Sequence, residues 1–163
     1  MTRTTAVIKV VIDSADRGIT TAYGMKWIAI THRVQQAIRK AGFIDGDVRI
    51  QTLHTTAAII VQEYEKCLLR DLAARLDKFA PLTGVYVHDD FTRRVANMCI
   101  GECQNGHSHG KRLLLPLSID LMFANGKITR GRWQRVILAE CDWQPDNPRK
   151  RTILIRLDGH FRS

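Results

Sequence analysis

A chain of 163 residues, 45% of them hydrophobic, is long enough to bury one real core and too short for two full domains. The longest apolar runs, Ala57–Val61 and Leu113–Leu117, fall far short of a bilayer span, and polar residues rather than an apolar signal core follow Met1, so a cytoplasmic protein without a membrane anchor is expected. With 25 Lys and Arg against 16 Asp and Glu, the formal charge of +9 favours an anionic partner: a phosphorylated small molecule, nucleic acid or an acidic surface.

Thr4 to Asp13 alternates and is rich in Val and Ile, which predicts a strand with one buried face, closed by a turn over Asp13 to Gly18. A second extended stretch follows over Ile19 to Ile30, interrupted at Gly24 and Lys26. Thr31 opens a helix whose Val34, Ala37 and Ile38 share a face, and Gly42 suits its left-handed end. Ile44-Asp45-Gly46-Asp47 has hairpin-turn chemistry and leads into strand material at Val48 to Leu53 and Ala57 to Gln62. Lys66 to Phe79 is an amphipathic helix with Leu68, Leu69, Leu72, Ala73 and Leu76 on one side, ended by Pro81.

Beyond that loop the polar run Tyr86 to Asp90 begins, Arg93 to Cys103 reads as helical, and Asn105 to Gly110 breaks the pattern. Leu113 to Ile119 opens a strand-rich last third. Asn125-Gly126 is the strongest hairpin signal in the chain, and Trp133 to Glu140 and Thr152 to Leu157 alternate as two more strands. Together these elements predict an α+β single domain, mainly antiparallel strands forming a sandwich-like core with two or three covering helices.

Groups used in chemistry concentrate in three segments far apart in sequence: His54-Thr55-Thr56 with Glu63, His88-Asp89-Asp90, and Asn105 to His109. Histidines beside carboxylates have the donor set for a divalent metal and equally the proton inventory for acid–base work, although isolated histidines are often plain surface or packing residues. Cys99, Cys103 and His107 recur at intervals of four, with His109 close by. On one helix face they form a metal site; otherwise the cysteines are small buried thiols. With Cys67 and Cys141 they read as reduced, since nothing marks the chain for secretion. Trp133 with Gln134 suits stacking on a heteroaromatic ring or a place in core or interface. Lys111-Arg112, Arg130 with Arg132, and the run Arg149-Lys150-Arg151 hold phosphates or are solvated surface charge.

His54-Thr55-Thr56-Ala57-Ala58 with Glu63 resembles the HTTAA segment of the YjbQ-like family, known as secondary thiamine-phosphate synthases. His88-Asp89-Asp90 resembles its HDD motif, Asn105 and His109 its N-x-x-x-H element, and Gly131-Arg132-Trp133-Gln134 with Glu140, Asp142 and Arg149 its terminal G-x-W-Q strand and the residues after it. The four motifs occur in order, and the match as a whole runs from about Gly18 to Gly159. The resemblance implies a homotrimer with the polar motifs in one pocket. Its expected activity joins a pyrimidine diphosphate to a thiazole phosphate with loss of pyrophosphate. In that reading His54, His88 and His109 hold zinc or magnesium, while His88, Asp89, Asp90 and Glu63 orient ligands or move protons. Thr55, Thr56, Asn105, Trp133, Gln134 and Arg149 bind substrate or phosphate. Arg130 and Arg132, where leucine and threonine are usual, and the added Cys99, Cys103 and His107 depart from the pattern. The alternatives are a ligand-binding or nucleic-acid-binding basic protein without turnover, or a metal-dependent hydrolase.

Overall fold

The structure, a computed structural model, describes residues 3–98 and 100–161. In chain order the elements are β1 Thr4–Asp13, β2 Ile19–Thr20, β3 Lys26–Ala29, α1 Thr31–Lys40, β4 Phe43–Thr52, β5 Ala57–Glu63, α2 Lys66–Phe79, α3 Gly106–Leu113, β6 Ser118–Ala124, β7 Lys127–Ile128, β8 Gln134–Glu140 and β9 Lys150–Phe161. A 3-10 turn spans Val87–Asp89.

All strand pairs are antiparallel, in a five-stranded sheet of order β1-β9-β4-β6-β7 and a four-stranded sheet of order β2-β3-β8-β5. The pleat sends alternate residues to opposite faces, and that parity builds the layers. Ile28, Ala57, Ile59, Val136 and Leu138 of the four-stranded sheet meet Val48, Ile50, Ile153, Ile155 and Leu157 of the five-stranded sheet in one core, which α1 closes with Val34 and Ile38. Their neighbours Trp27, Ala58, Ile137 and Ala139 face the other way, onto Leu69 and Ala73 of α2. Among the described residues no helix covers the outer face of the five-stranded sheet, which is laced by ion pairs, Arg49 with Asp120 and Arg3 with Asp47 and Asp158. No helix among the described residues is long and apolar enough to cross a membrane.

Local structure differs from the sequence reading at four places. Asp45-Gly46 is not a hairpin turn but lies inside the continuous strand β4, paired with His160 and Gly159 just after a register shift between Phe43 and Asp45. Gly46 has φ +152°, and a Cβ there would stand 2.3 Å from the Asp158 carbonyl oxygen, so only glycine lets β4 and β9 approach. The stretch read as a helix over Arg93 to Cys103 is a turn-rich loop in its described part, with Asn97 at φ 53° and Gly101 at φ 74°. Leu113 to Ile119 is helix end and loop until Ser118. The glycine-rich stretch taken as a break is instead the start of α3: Gly106 packs on Tyr86 and Gly110 on Ala80, each where a Cβ would come within 2.6 Å of a side chain. The Asp89 carboxylate caps this helix, accepting from the backbone N–H groups of Asn105 and Gly106 at 2.9 Å each.

Candidate functional site

One end of the sandwich gathers the start of β5, the end of β8, the start of β9, the 3-10 turn and α3. Ala57 pairs with Glu140 across β5 and β8, so Thr55 and Thr56 just before one strand meet Asp142 just after the other. Together with His88, Arg94, Cys103, Asn105, His109, Arg149 and Arg151 they line a cavity of about 520 Å³. A volume in this range is ordinary for a small-molecule site.

The floor is a buried ion pair. Arg151, 6% exposed, chelates the fully buried Glu140 through Nε and Nη2, and the same Nη2 donates to Thr56 Oγ1 at 3.1 Å. Glu140 in turn accepts from the Asp142 N–H at 2.9 Å, which fixes the chain as it leaves β8. Asp142, 3% exposed, meets Arg149 at 3.6 Å, Gln144 Nε2 at 3.2 Å and Asn105 Nδ2 at 3.4 Å. Arg94 is paired with Glu102 at 3.1 Å.

Two imidazoles stand over this floor. His88 and His109 are edge-to-face with ring centroids 4.6 Å apart. Burial, and then the neighbouring His88, push the His109 pKa down, so the neutral ring is favoured. Three residues that line the cavity each hold a buried polar atom with no hydrogen-bond partner among the described residues: His88 Nε2, Asn105 Oδ1 and Arg149 Nε.

His54 sits next door. It lines a second, more apolar cavity of about 540 Å³ with Leu53, Leu113, Leu117 and Arg112, and Thr55 and His109 belong to both cavities. Its Nε2 accepts the Thr152 N–H at 2.8 Å, which places the proton of the neutral ring on Nδ1; burial, and then Arg151, lower its pKa. His109 thus shares one cavity with His54 and the other with His88, and neither of the two cavities is lined by both His54 and His88. With the His54 Nε2 lone pair committed, the three-histidine set does not fit a metal ion, and among the described residues no three His, Cys, Asp or Glu side chains converge to hold one. Of the alternative set built on cysteines, His107 makes a buried contact with Ser108 Oγ at 3.0 Å and Cys103 is engaged by Arg149, while Cys99 lies outside the described residues.

Other expected site residues stand apart from the cavity. Asp89 serves as the cap of α3, and Asp90 accepts from Thr92 and pairs with Arg93 at 3.1 Å. Glu63 and Gln134 pair with each other at the far ends of β5 and β8, about 20 Å from the cavity at some 3.3 Å per residue. Trp133, 59% exposed, lies there too, under the Arg132 guanidinium. Because β5 and β8 are antiparallel, residues that neighbour a motif in sequence are carried to the opposite end of the sandwich. Two cations read as phosphate contacts or solvated surface charge are buried in ion pairs: Lys111 is 0% exposed, bonded to Asp77 and the Tyr23 carbonyl, and Arg151 forms the cavity floor with Glu140. Arg151 shares the inward parity of Ile153, Ile155 and Leu157, the signal that would have found it.

The YjbQ profile, described as UPF0047 protein YjbQ-like, matches residues 16–160. A UPF0047 protein of Archaeoglobus fulgidus is 30% identical over 136 residues, covering 83% of this chain and 94% of that protein. The UPF0047 protein YugU of Bacillus subtilis is 27% identical over 133 residues, 81% of this chain and 89% of its own length. Among solved structures, a YbjQ-like protein of unknown function from Sulfolobus solfataricus superposes with a TM-score of 0.76 at 24% identity, covering 98% of this chain and 100% of that one. A YjbQ/UPF0047 family protein from Clostridium acetobutylicum gives 0.70 at 28% identity, over 92% and 98%. With its motifs in order along the sequence and its fold shared with these structures, the chain belongs to the YjbQ-like UPF0047 family.

Proposed function

We propose that the 520 Å³ cavity binds a phosphorylated small molecule, with Arg149 on its oxyanion and the His88–His109 pair moving protons on the bound group. The three buried, unpartnered atoms carry this reading. Each orphaned polar group costs about 1–3 kcal/mol, so a ligand offering acceptors to Arg149 Nε and a donor to Asn105 Oδ1 recovers that cost on binding. Guanidinium suits phosphate oxygens, and a ring held neutral near its working pH suits proton transfer.

The finer reading is the condensation of a pyrimidine diphosphate with a thiazole phosphate, in which departing pyrophosphate would rest on Arg149. It is supported by the motif resemblance and by the apolar cavity that adjoins at His109, where a flat ring would lie against Leu53 and Leu117. A closed homotrimer belongs to the same reading, supported by the helix-free outer face of the five-stranded sheet, where Val7, Val11 and Met122 are exposed. Light scattering that finds only monomer would remove it.

Thermal shift with pyrophosphate and phosphorylated pyrimidines and thiazoles tests the site, since a ligand that binds the native state raises its melting temperature by mass action. A dose-dependent rise in the wild type, lost in folded His88→Ala and Arg149→Met, is expected. Nucleic acid is the competing partner, and removing two exposed charges with Arg130→Ala/Arg132→Ala separates the readings. Oligonucleotide binding that weakens in this variant and with salt, beside small-ligand shifts unchanged in His88→Ala, would overturn the pocket.

A further inference from the structure

We propose that Cys103 is a reactive thiol in the cavity wall, at which a hydroperoxide modifies the protein. Cys103 is partly exposed and lines the 520 Å³ cavity. Its sulfur accepts two hydrogen bonds, from Arg149 Nη2 at 2.7 Å and from Gln144 Nε2 at 3.0 Å. A partly exposed cysteine beside a fixed cation is the setting in which thiols react, whereas buried apolar cysteines are inert. The other described thiols are placed in the opposite way. Cys67 is exposed but next to the Glu65 carboxylate at the start of α2, and Cys141 is fully buried, its thiol pushed up to about 12 by desolvation.

A second, independent feature indicates what approaches the sulfur. Asn105, 8% exposed, leaves Oδ1 without a partner among the described residues, and Arg149 leaves Nε, both in the wall that holds Cys103. The pair offers one acceptor and one donor. A hydroperoxide carries the complement, an O–H beside oxygen lone pairs. In the reaction the Cys103 sulfur attacks the terminal oxygen, an S–O bond forms and the O–O bond breaks. Sulfur gives up two electrons, the peroxide is reduced, and the thiol proton goes to the departing oxygen. The products are a sulfenic acid and an alcohol, or water when the oxidant is hydrogen peroxide. The Arg149 guanidinium faces the negative charge that moves during this step. The added oxygen then lies between sulfur and guanidinium, so oxidation and anion binding at Arg149 compete; this last coupling alone rests on the anion-site reading above.

The test is limiting hydrogen peroxide on the full chain, with sulfenic acid trapped by dimedone and each cysteine quantified by peptide mass spectrometry. Trapping at Cys103 about tenfold faster than at Cys67, with Cys141 unmodified, is the expected result. Arg149→Met should slow Cys103 by about tenfold and leave Cys67 unchanged. Should that variant lose its fold, Cys141 becomes modified and reports it, and Gln144→Leu then makes the same comparison through the second donor. Cys103 reacting no faster than Cys67 in the wild type, or at an unchanged rate in both folded variants, overturns the assignment. Pyrophosphate should protect Cys103 in the wild type. Absence of protection with Cys103 still fastest would count against the anion site and leave the reactive thiol standing.

Discussion

Replacing Arg151 with methionine keeps an unbranched apolar stem and deletes the guanidinium that faces Glu140. In the wild type the two are 6% and 0% exposed, joined by two hydrogen bonds, with Thr56 Oγ1 as a third partner of the guanidinium. Among the described residues, the variant leaves a fully buried carboxylate with only the Asp142 N–H at 2.9 Å to satisfy it. Breaking a buried pair from one side typically costs about 3–5 kcal/mol, far more than the roughly 0–1 kcal/mol of a surface pair such as Arg49–Asp120. With a urea slope of about 2 kcal/mol/M, the midpoint should fall by about 2 M at constant slope. Removing both charges in Glu140→Leu/Arg151→Met should recover most of the loss, because an apolar pair of similar volume leaves no uncompensated charge. Urea unfolding followed by circular dichroism measures all three. A single variant that loses under about 1 kcal/mol, or a double variant as unstable as the single, would refute the assignment of Arg151 to a desolvated ion pair.

The same molecule makes three further demands. Asp89→Ala should cost about 1–2 kcal/mol by uncapping α3, and Asp89→Asn, which keeps an acceptor oxygen, should restore much of it in thermal melts. His54, His107 and His109 all have pKa values lowered from 6.5, chiefly by burial, so the unfolded chain binds more protons than the native one just below that value. Their contribution to stability is therefore complete above about pH 6.5 and is lost as the pH falls below it; a urea midpoint that stays flat between pH 7 and 5 would contradict this. Gly46→Ala places a Cβ 2.3 Å from the Asp158 carbonyl oxygen at φ +152°, and should destabilise the fold by several kcal/mol or abolish soluble expression, where alanine at exposed Gly101, with nothing within 4 Å, is tolerated far better.

The strands, α1, α2 and the Asn125-Gly126 hairpin are legible in the sequence because period-2 and period-3.6 patterns and turn chemistry are local properties. So are the segments around His54, His88, Asn105, His109 and Arg149, whose residue types are those of a candidate site. Tertiary structure decided the rest. Antiparallel pairing of β5 with β8 put Thr56 and Glu140 at one end and Glu63, Trp133 and Gln134 about 20 Å away at the other, a separation set by strand direction rather than by sequence distance. Asp89 became a helix cap because α3 begins beside it in space, 16 residues later in the chain. Arg151, in a run of three basic residues, is buried because its parity on β9 faces the fully buried Glu140 across the core, and only a folded chain brings that compensating charge within hydrogen-bond reach.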